Sequence, residues 1–230
     1  MSTTPILQTR NLTRTFKSGS IITPVLKGIS LEIARGEWVA IMGRSGAGKS
    51  TLLYQMSLLD DPSSGEILIE GREAHALSEK EKAHMRLYKF GFVFQEYALM
   101  QELTALENVM VPLLMERYTV EHAREHATSG LDRVGLGKRL NNLPSQLSGG
   151  EQQRVSIARA IAEAPEILFA DEPTANLDRE ASSVVMDIFR GLHKDGQTII
   201  MVTHEEEYGK EAQRIVQIDD GRIISDSPTR

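Results

Sequence analysis

Two periodicities divide the chain: short apolar runs or strict alternations that suit strands, and polar stretches with apolar residues at helical spacing. Residues 5–12 and 25–33 alternate apolar and polar side chains, as half-buried strands do. Between them, residues 16–20 read as a loop carrying one aromatic, Phe16. Trp38 to Met42 is a short apolar strand, and a helix is predicted from Lys49 to about Leu58. After the turn cluster at 60–65, residues 66–70 read as a strand closed by Gly71. Ser78 and Glu81 form a capping box for a charged helix to about Tyr88, and residues 90–95 are a compact apolar strand.

From 96 to 163 the pattern turns helical. Thr104 and Glu107 cap a helix that contains Pro112; Thr119 opens another, to about Val134; Ser148 and Glu151 cap a third, through Ala162. Strand-like runs return at 166–171 and 197–203, flanking a helix capped by Asp178 and ended by Gly196. Residues 214–219 and 222–225 form a hairpin through Asp220-Gly221. Strands alternating with helices predict an α/β fold with a mostly parallel sheet and an antiparallel N-terminal portion. The expected organisation is one domain over 1–230, with an α/β core at about 1–95 and 164–230 and a helical subdomain inserted at about 96–163.

Composition adds bounds. The 230 residues carry 26 basic and 32 acidic side chains, a net charge of −6 without a long basic run, so no nucleic-acid partner is expected. There is no cysteine, which excludes disulfides and thiolate metal sites. No run of about 18 apolar residues is found, so a membrane role would need another chain to supply the span.

Three stretches carry chemistry. Gly43-Arg44-Ser45-Gly46-Ala47-Gly48-Lys49-Ser50, followed by Thr51, reads G-x-x-x-x-G-K-S between a strand and a helix. The glycines let backbone N–H groups converge on one point, and the helix start adds the positive end of its dipole. Lys49 can reach the outer phosphates of a nucleoside triphosphate, and the Ser50 hydroxyl can ligate Mg²⁺. The run 167–172 then delivers Asp171 and Glu172 to the carboxyl edge of a sheet, where α/β folds bind ligands. Asp171 is expected to hold Mg²⁺ through its water shell, and Glu172 to polarise an attacking water. Finally, Leu147 to Arg154 reads LSGGEQQR. Ser148 and Glu151 explain a helix cap, but two consecutive glycines, Gly149 and Gly150, add a second anion-receiving helix start.

Together with an isolated His204, these motifs resemble the nucleotide-binding subunit of ATP-binding cassette (ABC) transporters, in the family's order and over nearly the whole chain. The resemblance implies that Phe16 stacks on adenine, that Gln95 is the Q-loop residue touching Mg²⁺ and the water, and that Ser148 to Glu151 is the signature. It implies that residues 175–178, ending in Asp178, are the D-loop and that His204 contacts the γ-phosphate. Catalysis would fall to Glu172, His204, Gln95 and Lys49. The resemblance also implies a head-to-tail homodimer with ATP and Mg²⁺ in two composite sites, and an integral-membrane permease partner. The place of action would be peripheral, on the cytoplasmic face of the cell (inner) membrane. Residues 90–95, 103–109 and 112–114 are similar to the branch of macrolide exporters, lipoprotein-release ATPases and the cell-division ATPase. Ala175, where that branch usually has glycine, and Gln101-Glu102 depart from it.

Other readings follow from the same residues. A regulatory ABC ATPase of a cell-division or other non-transport membrane complex fits the motifs. Soluble ABC ATPases of translation or repair carry tandem cassettes or long coiled coils, and this chain has neither. Residues 122–126 match H-x-x-E-H, an inverted zinc-peptidase signature, on a segment that is polar throughout. The apolar stretch of Tyr97, Leu99, Met100 and Leu103 is either internal packing or a docking surface for the permease.

Overall fold

The computed structural model describes residues 4–229. In chain order the elements are β1 (Leu7–Ser18), β2 (Ile21–Ile33), β3 (Trp38–Met42), α1 (Lys49–Met56), β4 (Ser64–Ile69), β5 (Arg72–Glu73), α2 (Glu79–Tyr88) and β6 (Phe90–Val93). Then come α3 (Ala105–Met115), α4 (Val120–Arg133), α5 (Gly149–Ile161), β7 (Ile167–Asp171), α6 (Arg179–Lys194), β8 (Thr198–Val202), α7 (Glu206–Gly209), β9 (Arg214–Asp219) and β10 (Arg222–Pro228). They divide into two compact units. One runs through Arg86 and resumes at Gly196; the other is Leu87–Asp195.

In the first unit, alternation along β1 and β2 produces an antiparallel pair, extended by β4 and β5 in the order β2-β1-β4-β5. Residues 16–18 are a correction to the predicted loop. They continue β1, Phe16 facing Thr23 and Ser18 facing Ile21, so only residues 19 and 20 turn. The register shifts between Thr9 and Thr15 twist this ribbon, and such bulges leave no mark in a period-two pattern. The second sheet of this unit has the order β10-β9-β3-β8, with β3 parallel to both β8 and β9. Every residue of β3 and β8 is buried, which explains why both read as continuous apolar runs without alternation. Asp220 and Gly221, at φ 42° and 73°, make the left-handed turn that joins β9 to β10.

The second unit pairs β6 and β7 in parallel and packs α3, α4 and α5 against one another. All three predicted capping boxes form: Ser78 with Glu81 on α2, Thr104 with Glu107 on α3, and Ser148 with Glu151 on α5. Helix α3 continues through Pro112 to Met115. Phe90, Phe92 and Phe169 pack across the β6–β7 pair with ring centroids 5.2–6.5 Å apart, and Gly91 leaves room for the Ala160 carbonyl of α5. The fold is α/β with a mostly parallel core sheet, an antiparallel N-terminal sheet and a helical portion.

Candidate functional site

In the first unit, β3 delivers the chain into the glycine loop and α1 receives it. A Cβ at Gly43 would stand 2.1 Å from the Ile218 carbonyl oxygen, and Gly48 sits at φ 100° with Leu26 and Val25 about it, so neither position admits a side chain. Gly48 is also the N-cap of α1, and no side chain caps this helix. A helix start left without a capping side chain aims its first-turn donors at whatever sits before it. Lys49 is almost fully buried, and its Nζ donates to the Gly43 carbonyl at 3.0 Å and the Arg44 carbonyl at 3.2 Å. The ammonium thus lies folded over the loop, where an outer phosphate would exchange with the two carbonyls. Ser45 and Gly46 are exposed at the loop tip, Ala47 is buried, and Ser50 and Thr51 are half-buried in the first turn of α1.

His204 follows β8, the parallel neighbour of β3, in the register Ile41 to Val202. It is therefore exposed at the same sheet edge as the glycine loop. Phe16 is 45% exposed. Its partner Thr23 lies two residues before Val25, whose carbonyl flanks Gly48. The Arg14 guanidinium lies 4.6 Å over the Phe16 ring, and it donates to the Asp60 carboxylate at 2.6 Å and the Asp61 carbonyl at 2.7 Å. Sequence reasoning did not find Arg14, because the contact depends on a turn distant in the chain.

In the second unit, parallel pairing of β6 with β7, Val93 opposite Ala170, brings Gln95 and the Asp171-Glu172 pair to one sheet edge. Asp171 is buried at the end of β7, whereas Glu172 is half-buried and left-handed at φ 47°. That conformation is costly for a residue with a Cβ and persists only where neighbours hold it. Gln95 is exposed, and its backbone carbonyl accepts from Asn176 Nδ2 at 3.0 Å. Tyr97 and Ala98, both left-handed at φ 60° and 51°, follow it, and Arg159 of α5 donates to both their carbonyls. Burial pushes the Arg159 guanidinium below the usual arginine range and raises the Tyr97 phenol.

The LSGGEQQR stretch opens α5, with Ser148 as its N-cap. The Glu151 amide donates to Ser148 Oγ at 3.2 Å, and the Ser148 amide returns to the Glu151 carboxylate at 2.9 Å. That backbone bond, with help from Arg139, holds Glu151 below the usual carboxylate range. Gly150 lets α5 approach α6, since a Cβ there would stand 2.7 Å from the Ala181 methyl. At Gly149 a Cβ would stand 2.9 Å from the Tyr97 hydroxyl. Asp178 is the N-cap of α6 and accepts from the Ala181 amide at 2.8 Å. A shallow cleft of about 200 Å³ joins Ser148, Gly150 and Glu151 to Asp178.

Of the apolar stretch after Gln95, Leu99 is buried and so belongs to the packing, whereas Met100 is 46% exposed. The fully buried Asn108 shapes this stretch, accepting from the Met100 amide and donating to the carbonyls of Met100, Leu103 and Thr104. His122, Glu125 and His126 are exposed on α4. No group of three or more His, Cys, Asp or Glu able to hold a metal occurs among the described residues, so the H-x-x-E-H match has no ligand set around it.

Against known proteins, residues 26–175 match the ABC transporter family, and the chain belongs to that family as an ATP-binding domain. It is 48% identical over 219 residues, 95% of this chain and 98% of the other, to an uncharacterized ABC transporter ATP-binding protein of Methanocaldococcus jannaschii. It is 46% identical over 224 residues to the macrolide export ATP-binding/permease protein MacB of Agrobacterium fabrum, covering 97% of this chain but 35% of that one. The chain thus spans about a third of the length of the MacB relatives it matches. Among solved structures, the dimeric post-hydrolysis state of an ATP-binding cassette bound to ADP and Pi superposes with a TM-score of 0.91. That cassette is 40% identical, over 97% of this chain and 99% of the other.

Proposed function

We propose that this chain hydrolyses ATP in a homodimer and so powers an integral-membrane permease of the exporter, lipoprotein-release or mechanotransmission kind. The observation that carries the reading is the glycine loop, where Lys49 folds over two loop carbonyls at an uncapped helix start. In this reading the γ-phosphate draws Lys49 off those carbonyls, Phe16 stacks on the adenine, and Glu172 orients the water for in-line attack. His204 steadies the γ-phosphate from the adjacent strand end, and Gln95 reports its presence to the helical portion. Ser50, Gln95 and Asp171 offer the hard oxygen donors that Mg²⁺ takes alongside phosphate oxygens and water. Bound there, Mg²⁺ would neutralise charge on the transferring phosphoryl group.

The signature of one subunit would complete the nucleotide site of the other; the dimeric, ADP- and Pi-bound state of the similar cassette supports a dimer. No helix among the described residues is long and apolar enough to cross a membrane. In this reading the membrane-spanning permease meets this ATPase at the cytoplasmic face of the cell membrane. Met100, displayed by the Asn108-organised loop after Gln95, is the side chain we place in that contact. The MacB relatives, named as ATP-binding/permease proteins, support such a partner.

Mixing variants tests the composite site. Lys49→Ala and Gly149→Asp should each abolish hydrolysis alone, and mixing them should restore activity, because one heterodimer site keeps an intact loop facing an intact signature. Equal loss of monomer ATP affinity in both variants, with no recovery on mixing, would refute the reading.

A further inference from the structure

Gln153 lies on α5 about one turn beyond Gly149 and is fully buried. Its Nε2 donates to the Pro173 carbonyl at 2.8 Å and lies 3.4 Å from the Phe94 carbonyl. Pro173 follows Glu172, and Phe94 precedes Gln95. One amide therefore bonds to the backbone beside Glu172, which orients the water in the reading above, and beside Gln95, which reports the γ-phosphate to the helical portion. Its own Oε1 is buried without a hydrogen-bond partner among the described residues. An orphaned buried acceptor of this kind is destabilising, and a leucine of similar volume would remove it. A leucine would also strip the Pro173 and Phe94 carbonyls of their donor, so what the amide supplies here is the tie between those two segments.

The segments it joins need restraint. Glu172 is held in the left-handed region, and Gln95 opens a turn with two further left-handed residues. Asn176 ties the same two turns from the other side by donating to the Gln95 carbonyl. Unlike Asn176, Gln153 belongs to the helix that begins at the signature, and it reaches both turns, whereas Arg159 of the same helix reaches only the Tyr97–Ala98 turn.

We propose that Gln153 is a positioning residue that locks the signature helix to the turns bearing Gln95 and Glu172. This rests on the roles given to those two residues above and extends them. A shift of the helix start, when it meets the partner's nucleotide, reaches both turns through one side chain, so each site's geometry depends on the other's occupancy.

The test uses the full chain with Gln153→Leu. Turnover should fall about 10- to 100-fold, the usual effect of misplacing a reacting group by an ångström or less. ATP affinity of the monomer should not change, and the melting temperature should move little, because the orphaned oxygen goes while the two carbonyls lose their donor. Unchanged turnover would overturn the proposal; so would a turnover loss that only tracks a fall in melting temperature and ATP affinity. Gln153→Glu provides a second readout, decisive if the leucine variant does not fold. A carboxyl donates a hydrogen bond only when protonated, so its turnover relative to the unsubstituted chain should rise as pH falls, and a flat ratio would overturn the proposal. Absence of ATP turnover in the unsubstituted chain would instead refute the proposed function and take this inference with it.

Discussion

Glu116, just past the end of α3, and Glu163, just past α5, meet as a carboxyl pair, and each has one oxygen buried without a hydrogen-bond partner among the described residues. Burial first, then the hydrogen bond to Glu163 and the repulsion from its charge, raises Glu116 to about 8. Tyr118 faces Glu163, whose charge raises its phenol, and the His126 ring stands edge-on to Tyr118 at 5.2 Å. The sign follows from linkage. The folded chain keeps a proton that the unfolded chain has released, so the contribution is fully present below the ordinary glutamate value of 4.5 and is lost as pH rises through about 8. Because both side chains retain some contact with water, the loss is set at about 1–2 kcal/mol, well short of full burial. For a chain of this size that corresponds to about 2–8 °C in melting temperature. Glu116→Gln supplies a permanent donor to Glu163. Thermal melts of both proteins between pH 5 and 9 should therefore show the variant losing less stability as pH rises from 5 to about 8, with the two curves running parallel above that. Curves that are parallel throughout would refute the shared proton.

Two further outcomes follow from the site. Lys49→Ala removes a charge-assisted contact worth about 1.5–3 kcal/mol, so monomer affinity for ATP should fall about 10- to 100-fold in equilibrium titration; unchanged affinity would remove Lys49 from the phosphate site. Leu99→Glu buries a carboxylate and should destabilise by about 3 kcal/mol or more, whereas Met100→Glu should keep solution ATPase and lose only association with the permease in co-purification.

Much of this was legible because local chemistry decided it. The glycine loop, three capping boxes and the Asp220-Gly221 turn depend on residues within a few positions of one another, and each formed as predicted. The buried strands β3, β7 and β8 announced themselves as apolar runs. What escaped depends on distant partners. Phe16 to Ser18 look like a loop until Ile21 to Thr23 pair with them across two turn residues. Leu99 and Met100 have similar hydrophobicity, yet only Leu99 is packed inside, because the Asn108 side chain fixes how the loop turns. The amide of Gln153 reaches Phe94 and Pro173 through the fold alone, and in the sequence it is one polar residue among several in the signature helix. Glu116 and Glu163 likewise terminate different helices.

The most direct test of the central claim is the oligomeric state and bound nucleotide of Glu172→Gln with saturating Mg-ATP, measured by sedimentation with nucleotide quantified in the same sample. The account predicts turnover reduced about 10²- to 10⁴-fold, the usual worth of a positioned general base, and a dimer holding two unhydrolysed ATP molecules that dissociates when ATP is removed. A monomer at saturating ATP, or hydrolysis at the unsubstituted rate, would contradict it.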